Sequence, residues 1–147
     1  MNLPSYITGT VQTTAYRLLR ERVYNVLDQY DLTPTYWSML GIITQAIDGV
    51  RQVEIAKTMH VKAPLITNMA HELQNRGLIQ IVQNQFDARA KLLALTTEGK
   101  KFMKIVETEL NSQLAQLLNG LTETDLATYN KVLETIIEND SKLRQQG

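Results

Sequence analysis

Residues Val61 to Gly99 decide the fold. They open with Val61-Lys62-Ala63-Pro64-Leu65-Ile66-Thr67-Asn68-Met69-Ala70-His71-Glu72-Leu73-Gln74-Asn75-Arg76-Gly77-Leu78-Ile79. A polar run then leads to Asp87-Ala88-Arg89-Ala90-Lys91 and to Leu92-Leu93-Ala94-Leu95-Thr96-Thr97-Glu98-Gly99. Pro64 suits a first helical position, and Gly77 suits the left-handed residue that closes a helix. Leu65, Ile66, Met69 and Leu73 recur at the spacing of a buried helical face, with Thr67, Asn68, His71, Glu72 and Asn75 largely on the other side. Leu78–Val82 and Lys91–Leu95 read as two paired strands around a charged tip.

Upstream, Val53–Met59 predicts a short helix with Val53, Ile55, Ala56 and Met59 inward, joined to the next by the turn His60-Val61-Lys62-Ala63. Before it, Val50-Arg51-Gln52 is an extended link, and Thr33-Pro34 announces a helix that Asp48-Gly49 stops. Ser5–Tyr30 forms a long helix on Ile7, Val11, Ala15, Leu18, Leu19, Val26 and Leu27. Downstream, Thr96 or Thr97 caps a helix reaching about Asn119, with Phe102, Ile105, Val106, Leu110, Leu114, Leu117 and Leu118, closed by Gly120. Thr122-Glu123-Thr124-Asp125 forms a capping box with Asp in place of Glu, and a last helix carries Leu126, Tyr129, Val132, Leu133, Ile136, Ile137 and Leu143. The expected architecture is mainly α with a small two- to three-stranded β wing: a winged helix-turn-helix with long terminal helices. Such a motif sets one helix in the major groove of DNA and reaches out with its ribbon.

The chain of 147 residues suits one domain, with 44% apolar and 20% charged residues. The absence of cysteine excludes disulfides and thiolate metal sites. With His60 and His71 as the only histidines, no metal site and no cofactor are expected. Neither a signal segment nor an apolar run of about 20 residues is present, so no membrane partner and a cytoplasmic location are expected. No Gly-rich phosphate loop, Gly-x-Ser-x-Gly elbow or His-Glu-x-x-His helix occurs, and His71 and Glu72 do not face each other on a helix, so an enzyme is not expected.

Net charge is zero, but its distribution is uneven. Between Arg51 and Lys104 nine basic residues face four acidic ones, a surplus of five, matched by an equal acidic surplus in the flanks. A basic centre between acidic arms fits a DNA-facing module on a helical scaffold; chance clustering is the plainer reading. The apolar stripes of the first helix and the last two exceed what one small winged module covers. A symmetric homodimer with interleaved terminal helices covers them, and also sets two reading helices one groove turn apart. Packing of the helices on their own module is the alternative.

Asp87-x-Arg89-x-Lys91, followed by Leu95-Thr96-x-x-Gly99, together with Thr67, Leu73, Gly77 and Leu78, resembles the MarR (multiple antibiotic resistance regulator) family of winged helix-turn-helix transcription factors. The resemblance spans nearly the whole chain, 1–147. It implies a DNA-binding part at 33–99 and a helical dimerisation part at 1–30 and 100–147. It further implies a dimeric, sequence-specific regulator, a repressor released from double-stranded DNA by a small aromatic or anionic effector. Arg89 would enter the minor groove and Asp87 would hold the wing in shape, by pairing with an Arg or with backbone amides. The sequence departs from the family pattern at Asn68, Glu72 and Ile81, where basic residues are common. Contacts would then fall to Lys62, Pro64, Thr67, Asn68 and His71 on the helix, with Asp87, Arg89 and Lys91 on the wing. These departures also keep open a winged-helix protein-interaction module without specific DNA binding. Candidate ligand-binding residues are Tyr16, Arg17 and Arg20, with neighbouring Tyr24, on the first helix, and Tyr36, Trp37 and Met39 on the second. Aromatic walls and guanidiniums suit an anionic aromatic; the plainer reading makes the aromatics core and the arginines solvated.

Overall fold

The computed structural model describes residues 5–87, 89 and 91–147, with the side chains of Ser5, Ile7 and Thr8 also outside the description. The expected inward place of Ile7 and the Ala88 and Ala90 of the wing tip therefore lie outside the described residues. The order is α1 (Ser5–Asp28), α2 (Pro34–Gln45), α3 (Gln52–Met59), α4 (Ala63–Asn75), β1 (Ile79–Gln83), β2 (Lys91–Leu95), α5 (Thr97–Leu117) and α6 (Glu123–Gln145). The chain divides into a unit ending at Leu114 and a second unit, Ala115–Gly147.

In the first unit, α1 to α4 and the root of the wing share one apolar core. Leu27 of α1, Met39, Leu40 and Ile43 of α2, Ile55 of α3, Ile66 and Leu73 of α4, Ile79 and Leu93 of the strands and Val106 of α5 are all nearly inaccessible to solvent. α2 begins as its sequence dictates. Pro34 lies in the first turn, and the Thr33 hydroxyl accepts the Tyr36 amide at 3.3 Å. It ends at Gln45, before the expected Asp48-Gly49 stop, which leaves Ile47 98% exposed in the connecting segment.

Two expected inward residues face outward instead. Val53 is 62% exposed and Leu65 44% exposed. At roughly 100° per residue, Ile55 and Ala56 set the buried meridian of α3 about 110° from Val53. In α4 the meridian runs through Ile66, Met69, Ala70 and Leu73, which puts Leu65 about 90° off it. Met59 is half-buried, and in α5 Met103 is buried where Ile105 is exposed.

The strands pair antiparallel, with Ile79 opposite Leu95, Ile81 opposite Leu93 and Gln83 opposite Lys91. β1 thus starts one residue later than the sequence suggests. A third edge is reduced to one residue: Val50 and Leu93 exchange backbone bonds of 2.9 and 2.8 Å. This bridge ties the link before α3 to the wing.

The end of α4 and the start of α5 meet at one knot. Gly77, at φ 73°, closes α4, with its amide on the Gln74 carbonyl (2.9 Å) and the Leu78 amide on the Leu73 carbonyl (3.0 Å). The Thr96 amide donates to the Leu78 carbonyl at 3.0 Å. The Thr96 hydroxyl donates to the Gly77 carbonyl and accepts the Gly99 amide at 2.9 Å, which makes Thr96 the cap of α5. Gly99 is required by space: a Cβ there would stand 1.9 Å from the Leu78 carbonyl oxygen.

In the second unit, the expected capping box is present. The Thr122 hydroxyl accepts the Asp125 amide at 3.1 Å, and the Asp125 carboxylate accepts the Thr122 amide at 2.8 Å. No residue of α6 is buried, and Tyr129, Val132, Ile136, Ile137 and Leu143 are all exposed.

Gly99→Ala should lower stability by about 3 kcal/mol, because the methyl meets backbone that cannot turn aside. Urea unfolding checks this; an unchanged midpoint would show that α5 can slide away from β1. The Asp125 carboxyl is held below its usual range by the backbone hydrogen bond from Thr122. Its capping contribution is therefore complete above the unfolded-state pKa and is lost as pH falls through the lower folded-state value. Acid titration of helicity should show this loss in the wild type and not in Asp125→Ala.

Candidate nucleic-acid interface

α3, its turn and α4 form the helix-turn-helix. The turn is made by His60, in the left-handed region at φ 56°, whose amide reaches back to the carbonyls of Ala56 and Lys57. His60 is thus a capping residue. Lys62 is the N-cap of α4 by backbone, with no side-chain cap bond. Ala63 rather than Pro64 is the first helical residue, and Pro64 follows it in the same turn. Pro64, Thr67, Asn68 and His71 are exposed along one side of the helix, and Lys62, just before it, is exposed as well.

The Thr67 hydroxyl donates to the Gln52 side-chain carbonyl at 2.9 Å and lies 3.2 Å from the Ala63 carbonyl. With its proton so committed, the hydroxyl faces outward as an acceptor, suited to an exocyclic amine of adenine or cytosine. Gln52 was missed by sequence reasoning. It lies fifteen residues from Thr67, and only the packing of α3 on α4 brings them together.

At the wing, the Asp87 carboxylate accepts the Arg89 amide at 3.0 Å. Of the two pairings open to Asp87 in the sequence, the backbone one is formed. Among the described residues no ion pair ties the Arg89 guanidinium to Asp87, so its charge remains available at the tip. Arg51 and Gln52, at the entrance to α3, line one shallow groove with Asp87, Arg89 and Lys91. In the sequence, Arg51 belongs to the extended link before α3 and to the charge surplus, not to the candidate site. The groove makes it a neighbour of the wing cations. Phe86, also not anticipated, is 97% exposed beside the tip.

Comparison with known proteins matches this segment. The MarR family model covers residues 30–90. The winged-helix segment is similar to that of the MarR family. Solved structures extend the likeness of fold to nearly the whole chain. AbsC, a MarR family transcriptional regulator from Streptomyces coelicolor, superposes with a TM-score of 0.79 at 17% identity, covering 97% of each chain. CouR from Rhodococcus jostii, bound to p-coumaroyl-CoA, gives 0.78 at 23% identity, covering 92% of this chain and 95% of its own. A mutant MarR from E. coli complexed with operator DNA gives 0.69 at 22% identity, covering 92% and 99%.

Within this MarR-like fold, not every basic residue of the central segment is free of the scaffold. The Arg76 guanidinium donates to the carbonyls of Tyr30 (2.8 Å) and Asp31 (2.9 Å) and stacks 5.6 Å from the Phe102 ring centre. It satisfies carbonyls of the turn that follows α1, where a cation also complements the helix dipole. The central surplus of five thus includes one charge spent on scaffold. Glu72, a departure from the MarR pattern, accepts a hydrogen bond from the Tyr36 hydroxyl of α2. Burial, then this bond, pushes the Tyr36 phenol up to about 12. Ile81, another departure, is exposed.

The candidate ligand residues fall into two sets. On α1, Tyr16 and Arg17 are exposed, and the Arg20 guanidinium bonds the Tyr24 hydroxyl at 3.1 Å and stacks 4.7 Å from its ring centre. On α2, Tyr36 and Trp37 are half-buried against the core. Met39 is fully buried and is core rather than wall. No hydrogen bond or ring contact joins the α1 set to the α2 set among the described residues.

Arg76→Met should cost about 1–2 kcal/mol in urea unfolding, through loss of charge-assisted bonds, and leave the salt dependence of DNA binding unchanged. A salt slope reduced by about one would instead return Arg76 to the phosphate contacts.

Proposed function

We propose that this chain is a dimeric, sequence-specific DNA-binding transcriptional regulator, a repressor released by a small-molecule ligand. The observation that carries the reading is the exposed set Lys62, Thr67, Asn68 and His71 on a helix continuous with a wing that presents Arg89 and Lys91. Residues 33–99 form the reading part. Arg89 enters the minor groove, where negative potential favours a guanidinium. Asp87 holds the tip, Lys62 and Lys91 meet phosphate, and Pro64 brings the start of α4 close to the backbone. Thr67, Asn68 and His71 read base edges. The solved MarR complex with operator DNA supports this use of the fold.

Residues 1–30 and 100–147 supply the dimer. α6 buries nothing by itself, and Val11, Tyr16 and Leu18 of α1 stand exposed. Such stripes are characteristic of surfaces covered by a partner. Tyr16, Arg17, Arg20, Tyr36 and Trp37 remain the residues proposed for an anionic aromatic effector, an idea supported by the acyl-CoA bound to CouR. Ligand would act by favouring a dimer whose reading helices no longer match successive grooves. The chemistry is recognition throughout, with no catalytic step.

A second reading, a protein-interaction module, draws on exposed Ile81 and Phe86. The two are separated by a salt-titrated binding assay of the protein on its own upstream DNA, with a random duplex as control. Specific binding should weaken steeply with salt, and Arg89→Ala should cost about 1–3 kcal/mol of affinity without loss of stability. Lys62→Ala and Lys91→Ala should each lower the slope by about one. No binding to either duplex at low salt would exclude the regulator and favour the interaction module. Sedimentation should give twice the chain mass; a monomer at micromolar concentration would remove the dimer.

A further inference from the structure

Glu72 is the one acidic residue on the outward side of α4, one residue from His71 and four from Asn68. An unrestrained carboxylate there would repel phosphate. Its natural helical partner would be Arg76, four residues on. That guanidinium is already committed to the carbonyls of Tyr30 and Asp31, and among the described residues Glu72 makes no ion pair. What holds Glu72 is the Tyr36 hydroxyl, donated from another helix. The Tyr36 ring packs half-buried against the core, so its hydroxyl is a fixed point. With its pKa raised to about 12, the phenol keeps its proton throughout the physiological range.

Resting on the DNA-binding reading above, we propose that Tyr36 is a positioning residue for DNA recognition: its hydroxyl draws the Glu72 carboxylate toward α2 and keeps it out of the way of the phosphate backbone. The arrangement explains how an acidic residue can occupy a reading helix. The charge is not removed but turned aside, held by a neutral donor. It also makes α2 a contributor to DNA affinity without a contact to DNA.

Four proteins test this: wild type, Tyr36→Phe, Glu72→Gln and the double variant. Each is titrated by fluorescence anisotropy onto the upstream duplex and a random duplex at low and moderate salt, with urea unfolding in parallel. Tyr36→Phe removes one oxygen and leaves the ring. It should bind roughly three- to tenfold more weakly at low salt, because a like charge is freed at the interface. That deficit should shrink at higher salt as repulsion is screened. The double variant should return to within about twofold of Glu72→Gln, since no charge remains to be turned aside. A merely structural role for the hydroxyl would leave the double as weak as Tyr36→Phe and the deficit insensitive to salt, and would overturn the proposal. So would Tyr36→Phe binding as tightly as a wild type that does bind. A wild type that binds neither duplex would overturn the functional reading first, and the proposal with it.

Discussion

The hydroxyl of Thr96 makes two bonds at once, one back to the carbonyl of Gly77 and one forward from the amide of Gly99. Around that side chain the reading helix ends, the wing returns and the long helix α5 begins. The approach is so close that residue 99 has no room for a side chain. Everything that could meet DNA hangs from this knot. Its position fixes the axis of α4 through the Gly77 turn, and the root of the wing through the bond between the Thr96 amide and the Leu78 carbonyl. The spacing Leu-Thr-x-x-Gly thereby acquires a physical meaning: Leu95 enters the core, Thr96 caps and ties, and Gly99 permits contact between two backbones.

Away from the knot the wing is held more lightly. The single Val50–Leu93 bridge secures its inner half to the entrance of α3, and beyond it the strands run out to an exposed tip shaped by local bonds from Asn84 to Phe86 and from Asp87 to Arg89. Rigid root and locally ordered tip suit a ribbon that must follow the width of a groove. The order of the tip comes from side chains accepting backbone amides two residues on, so it needs no tertiary partner.

The elements that the sequence announces are those whose signals are local. Thr33-Pro34, Gly77, the Thr96 cap on Gly99 and the Thr122–Asp125 box each act within four residues, and each stands where its chemistry puts it; the bond from Thr96 back to Gly77 is not local in this way. Longer-range facts had no such signature. Val53 belongs to a helix of eight residues, too short to fix the phase of its apolar face, and Leu65 sits in the first turn of α4, about 90° off the face set by Ile66, Met69, Ala70 and Leu73. Arg76 reads as a cation of the central segment until α1 is seen to end beside it. Gln52 with Thr67, and Tyr36 with Glu72, are pairs created by packing between helices, and no spacing along the chain foretells them. The candidate site was therefore legible as a set of exposed residues, while the partners that orient those residues were legible only in three dimensions.

The engagement of Arg76 with the end of α1 has a kinetic side. Proteins that track along DNA do so on a carpet of phosphate contacts, each releasing counterions whatever the sequence. Here the Arg76 guanidinium is held by the carbonyls of Tyr30 and Asp31 and α4 presents a single flanking lysine, so the phosphate grip falls mainly to Arg51 and the wing cations Arg89 and Lys91. On the proposed function, the protein would glide on arbitrary sequence through its wing and the entrance to α3, while the reading helix adds little charge of its own. Discrimination would then come from Thr67, Asn68 and His71, tested at each base step as it passes.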